Sequence, residues 1–264
     1  GDTIEILRDI TYSGEGIENK IEENKNLIID INGKKITTPN KFITNSGTLK
    51  LIDSQNELDE EGKISTYGGG YITTTGTIMI ENKNTLIIAG ALLKNETTGT
   101  ILLNTGDLNI ESGKITSGIA GTKIIESNES GNITMTGGQL YSMIGGYQNI
   151  TLMSIASDGE TKILGGEFEA LNKNEVTVNA IVNTGIGIVT IDGGKLNQAS
   201  TYGSGIDSSA GTIKVKNGII TGRIYNKGTS EIIVDDGTIN SYINNQSSKS
   251  ITINGGTLTS NIEN

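Results

Sequence analysis

Aliphatic residues recur along this chain two positions before an Asn or Ser, and about ten residues later comes a Gly with apolar residues on either side. The most regular copy runs from Ile224-Tyr225-Asn226 to Val234-Asp235-Asp236-Gly237-Thr238-Ile239. Nineteen residues later it returns as Ile243-Asn244-Asn245 to Ile253-Asn254-Gly255-Gly256-Thr257-Leu258. Followed backwards, the Asn/Ser position reads Asn45, Asn82, Asn104, Ser127, Ser157, Asn183, Ser208, Asn226 and Asn245. The aliphatic position reads Ile43, Ile80, Leu102, Ile125, Ile155, Ile181, Ile206, Ile224 and Ile243. The Gly position reads Gly90, Gly113, Gly138, Gly166, Gly194, Gly218, Gly237 and Gly256, with Ser54 in its place in the first copy. From Asn/Ser to Gly the spacing is 8–11 residues, whereas from Gly to the next Asn/Ser it ranges from 8 to 28. One part of each repeat is held to a template and the other carries insertions.

The pattern predicts three short strands per repeat. The first holds the aliphatic before Asn/Ser, the second an alternating pair such as Leu108-Asn-Ile110 before Gly, and the third starts after Gly, as at Ile115 or Leu140. Strands this short bury two faces only when repeats stack and each strand pairs with its counterpart next door. A Gly corner suits a turn with φ > 0. An Asn corner tolerates the left-handed region, and stacked amides can hydrogen-bond from coil to coil. Asn45, Asn82, Asn104, Asn183, Asn226 and Asn245 are therefore expected to form a structural ladder, weakened where Ser intervenes. The expected fold is all-β: one domain, a parallel β-helix of about ten coils. A leucine-rich repeat of similar period would want Leu dominant, and here Ile, Thr and Gly dominate. Residues 1–25, with a strand over 3–10 and a short amphipathic helix over 16–26 carrying Ile17 and Ile21, are expected to cap the open end, and residues 26–264 to form the helix.

Leu27-Ile-Ile-Asp-Ile-Asn-Gly-Lys-Lys-Ile36, Ile43-Thr-Asn-Ser-Gly-Thr-Leu-Lys-Leu-Ile-Asp53 and the repeated Ile-Thr-Ile-Asn-Gly-Gly-Thr-Leu resemble the β-helix regions of large adhesin-like cell-surface proteins of bacteria, notably Firmicutes. Those regions look like the pectin-lyase-like right-handed β-helix. The resemblance covers about residues 3–258. It implies right-handedness, secretion and surface display, but these motifs are architectural and carry no chemistry with them.

Composition narrows the partners. A net charge of −10 argues against nucleic acid and anionic membrane surfaces. Without Cys there is no disulfide or thiolate metal site, and no apolar run reaches the length of a membrane span. The start at Gly1-Asp2 and the end in mid-repeat at Asn264 suggest a piece of a longer protein, and a monomer is expected.

Lyases and hydrolases on such a fold need clustered carboxylates and a basic partner. There is no His, and the only Arg are Arg8 and Arg223. Asp235-Asp236 reads as a solvated turn. Glu57-Leu-Asp-Glu-Glu61 reads as a charged loop tip, with a weak Ca²⁺ site as the alternative; no other cofactor is expected. Thr66-Tyr-Gly-Gly-Gly-Tyr71 follows no phosphate-loop pattern. The residues of interest are Tyr67, Tyr71, Tyr141, Tyr147 and Tyr202, which lie beside glycines in the insertions and offer aromatic platforms for carbohydrate or a host protein. The expected function is a non-catalytic structural and adhesive segment of a secreted or wall-attached surface protein. A polysaccharide lyase or hydrolase is the alternative, and a pure spacer the third reading.

Overall fold

A strand of three to five residues satisfies its backbone N–H and C=O groups only by pairing with another chain segment on each side. In the computed structural model, which describes residues 1–12, 19–95, 97–119, 121–144, 149–172, 177–198 and 203–264, those partners come from the repeats before and after. Among the described residues there is no helix, and the strands gather into an 18-stranded sheet, an 11-stranded sheet and one two-stranded hairpin. Every pairing in the two large sheets is parallel, and only the hairpin of Glu57–Leu58 with Ile64–Thr66 is antiparallel. The chain is thus an all-β stack of parallel strands, the arrangement of a β-solenoid.

The register carries the aliphatic columns through the stack. In the 11-stranded sheet Ile43, Ile80, Leu102, Ile125, Met153, Ile181, Ile206, Ile224 and Ile243 are successive partners. Ile43 is 6% exposed and the rest of this column is fully buried. In the larger sheet Leu49, Leu86, Leu108 and Ile133 form one such line, and Ile72, Leu93, Ile115, Leu140, Phe168, Leu196, Ile220 and Ile239 another. All of these belong to one continuous core. Each buried aliphatic contributes about 1.5–3 kcal/mol, so a chain with few aromatic residues still closes a core.

Between the last two lines the chain turns at the glycines. Gly90, Gly113, Gly138, Gly166, Gly194, Gly218, Gly237 and Gly256 all have positive φ, between 73° and 102°. Stacking adds a second restriction: a Cβ on Gly113 would stand 2.5 Å from the Ala91 carbonyl oxygen of the neighbouring coil. A side chain here would be strained in φ and would wedge two coils apart.

The first residues extend the sheets. Asp2–Glu5, Ile10–Thr11 and Lys20–Ile21 pair in parallel with Asn26–Asp30, Lys35–Thr38 and Ile43–Asn45 respectively. Strand replaces the expected helix at Lys20–Ile21 and from Asn26 onward, because Ile21 is drawn under the core as the register partner of Asn45. Gly16 and Ile17 lie outside the described residues.

The Asn and Ser side chains bond from coil to coil. Asn45 Nδ2 donates to Asn82 Oδ1 at 2.8 Å, and Asn82 Nδ2 to Asn104 Oδ1 at 2.8 Å. Asn104 Nδ2 then donates to Ser127 Oγ at 3.4 Å. Further along, Asn183 Nδ2 donates to Ser208 Oγ at 3.2 Å, and Asn226 Nδ2 to Asn245 Oδ1 at 2.7 Å. Between these two runs the assignment of Ser157 to the column is corrected. Ile155 is the partner of both Ser127 and Asn183, and Met153 takes the aliphatic position. The segment Ile150-Thr-Leu-Met-Ser-Ile155 has apolar residues in two phases, and a slip of two keeps every side chain on its own face. The interruption leaves Asn183 Oδ1 buried without a protein partner.

An orphaned buried acceptor costs about 1–3 kcal/mol. Ile155→Asn places an amide where Asn183 Oδ1 lacks a donor. It should therefore cost roughly 1–2 kcal/mol less in chemical denaturation than Ile181→Asn, which buries an amide among aliphatics. Equal costs would show that the ladder adds nothing to stability.

Candidate functional site

The strand after each glycine corner turns alternate residues outward, and these form the outer face nearest to a site. Register places Lys35 beside Tyr71, Lys114 beside Gln139, Gln139 beside Glu167, and Glu167 beside Lys195. The neighbouring outward line runs Thr73, Lys94, Thr116, Tyr141, Glu169, Asn197. Tyr71 opens the strand Tyr71–Thr74, and Tyr141 lies inside the strand Gln139–Ile144. Both therefore stand on the sheet itself.

Their rings are not bare platforms. The ammonium groups of Lys35 and Lys94 each stand 5.6 Å from the centroid of the Tyr71 ring, and that of Lys114 stands 4.0 Å from the Tyr141 ring. Outward positions on stacked strands are only about 4.8 Å apart, so long lysine stems lie down over the adjacent ring. Burial pushes the Lys114 ammonium below its ordinary pKa, against the opposing pull of Glu169 and Glu167. Burial, and then Glu169, push the Tyr141 phenol up. Glu169 accepts from Gln139 Nε2 at 2.8 Å, and Glu167 accepts from Asn197 Nδ2 at 2.8 Å. The outward residues one and three after Gly113, Gly138, Gly166 and Gly194 thus bring Lys, Tyr and Glu together. Sequence reading passed over Lys114, Glu167 and Glu169, although their alternation with Ile115, Leu140 and Phe168 marks them as outward.

The Glu57–Thr66 hairpin is laid over the same corners. Glu61 and Gly62 carbonyls accept from the Gly138 and Gly113 N–H groups at 2.9 and 2.8 Å. Asn56 Nδ2 donates to the Gly90 carbonyl at 2.9 Å. Lys63 reaches Glu167 at 3.1 Å, and Lys195 reaches Glu61 at 3.0 Å across 134 residues of sequence. Within the Glu57–Glu61 run, Asp59 Oδ1 accepts from the Glu61 and Lys63 N–H groups, and Glu57 accepts from Thr66 Oγ1 at 2.7 Å. Beyond Glu60 and Glu61 a cavity of about 570 Å³ follows the corners past Gly166, Gly194 and Gly218.

Tyr67 is 49% exposed, and its hydroxyl donates to the Gly69 carbonyl at 2.9 Å. Tyr147 and Tyr202 lie outside the described residues. The ladder residues Asn45, Asn82, Asn104, Asn183 and Asn226 lie in the interior, away from this face.

Comparison of the chain with protein-family models, curated proteins and solved structures finds no match.

The hairpin's hold depends on pH. Lys195 and Lys63 keep Glu61 below its ordinary value of 4.5, so its contribution is complete above that value and is lost as pH falls through the lowered pKa. Lys63 is held above 10.5, chiefly by Glu61, so its contribution is lost only as pH rises through the raised pKa. Hydrogen exchange at the Gly113 and Gly138 amides, corrected for intrinsic rates, should lose protection in acid and, at neutral pH, in Lys195→Ala. Unchanged protection in both cases would mean that backbone bonds alone hold the hairpin.

Proposed function

We propose that the chain is a non-catalytic structural and adhesive segment of a secreted or cell-wall-attached bacterial surface protein. In this reading its parallel strands form a right-handed, pectin-lyase-like β-helix with three strands per coil and about ten coils. The observation that carries it is the outer face on which Lys35, Lys94 and Lys114 overlie Tyr71 and Tyr141. A rigid stack of strands holds these groups at a fixed pitch, and an extended carbohydrate or a host protein is the kind of ligand that spans several coils. Among the described residues, the carboxylates whose pKa values are displaced, Glu61 and Glu81, are both held low by lysines, the opposite of what a general acid needs. The extracellular or cell-surface setting rests on the resemblance of the repeats.

Binding to glycan and host-protein arrays tests this. Tyr67→Ala plus Tyr71→Ala should weaken the strongest interaction about tenfold. Unchanged binding removes this end of the face from the proposal.

One observation favours a lyase instead: Lys114, pushed toward its neutral form, lies against Tyr141 with Glu167 and Glu169 nearby. A neutral lysine can abstract a proton. A panel of acidic and neutral polysaccharides would then yield unsaturated products, and Lys114→Met would abolish them while Lys162→Met would not. No product from any polymer sinks this second reading.

A further inference from the structure

The 11-stranded sheet carries a separate cluster on its outward line Asp207, Tyr225, Asn244, Glu263. Arg223 Cζ and Lys227 Nζ each stand 4.8 Å from the centroid of the Tyr225 ring. Arg223 Nε donates to the Gly203 carbonyl at 2.8 Å, and a terminal guanidinium nitrogen donates to the Tyr242 hydroxyl at 3.2 Å. Lys227 donates to Asp207 at 3.0 Å, which fixes the second cation. The Tyr225 phenol is pushed up, first by burial and then by its hydrogen bond with Tyr242, while Arg223 pulls it down. Asn244 Oδ1, shut off from solvent, has no protein partner.

A guanidinium has five N–H donors. Two are used here, one toward Gly203 and one toward Tyr242, and the others have no partner among the described residues. An arginine anchored from one coil on each side and stacked on a ring loses little freedom when it binds. Lys227 is offset by Asp207, so in a chain of net charge −10 Arg223 is the cation of this cluster without an acidic partner among the described residues. Its chemistry selects a carboxylate, which matches the open fork in bidentate fashion. The Tyr225 ring lies against two cations, Arg223 and Lys227. Tyr and Arg on a flat sheet are the side chains that anchor protein interfaces.

We propose that Arg223, Tyr225, Lys227 and Tyr242 form a docking site for a protein partner that presents an Asp or Glu carboxylate to the open edge of the guanidinium. The site lies on the other sheet from Tyr71 and Tyr141 and does not depend on the adhesive reading.

The test follows the Arg223 Nε–H resonance of the whole chain by NMR during titration with an acetylated, amidated triglutamate peptide. The isosteric triglutamine peptide and glucuronate serve as the other arms. Saturable shifts with triglutamate alone are expected, weakened about tenfold in Arg223→Lys, which keeps the charge but loses the fork. Arg223 also anchors the Gly203 corner, so the melting temperature of each variant is measured. If Arg223→Lys melts early, Tyr242→Phe decides, with an expected loss of about threefold. Tyr67→Ala plus Tyr71→Ala should leave the titration untouched, so failure here is distinct from failure of the adhesive face. Equal response to triglutamine, no saturable shift, or unchanged affinity in the deciding variant overturns the proposal. A response to glucuronate as strong as that to triglutamate assigns the site to sugars and overturns the protein partner.

Discussion

Backbone hydrogen bonding between a strand and its equivalent one coil away is the constraint on which everything else rests. No described strand is long enough, or apolar enough on both faces, to persist alone. Once the parallel register is set, like residues fall on like residues. The Ile43-to-Ile243 column then closes the core along one sheet, the Phe168 line closes it along the other, and from Gly113 onward the glycine corners align because a Cβ there would crowd the backbone next door. Polar residues obey the same rule: Asn82 faces Asn45 and Asn104 because the register that stacks Ile80 on Ile43 and Leu102 leaves no alternative.

The surface follows from the same geometry. An outward residue has its nearest neighbours in the adjacent coils, far away in sequence, so contacts such as Lys94 with Tyr71 and Arg223 with Tyr242 are set by coil spacing. Close outward spacing favours long stems lying over rings, which turns Tyr71 and Tyr141 from apolar platforms into supports for ammonium groups. A surface read as aromatic in the sequence has its Tyr71 and Tyr141 rings overlain by lysine ammonium groups in the folded chain.

Much of the fold could be read from spacing alone, because the inward positions repeat and glycine recurs at the corners that turn with positive φ. Ile43, Leu102, Ile181 and Ile224 were each identifiable as core from the Asn two positions later. Ser157 was not, since Ile155-Ala-Ser157 satisfies the rule as well as Met153-Ser-Ile155 fills the space, and only pairing with Ile125 and Ile181 separates them. Of the site, Tyr71 and Tyr141 were visible as residues, but what covers them was not. Lys114, Glu167 and Glu169 fall in template positions where a sequence shows only that a side chain points out. The run Glu57–Glu61 had no legible partner because Lys195 lies 134 residues further on.

That hairpin changes how the stack comes apart. In a pure solenoid each coil touches only its neighbours, and melting can creep inward from either end one coil at a time. Here one insertion is clipped across the coils of Gly90, Gly113, Gly138, Glu167 and Lys195. Loss of the last coils, after residue 224, leaves the clip intact, so fraying from the C-terminal end meets a block there. Those five coils then give way together, as a zip fastener does when a pin is driven through its teeth.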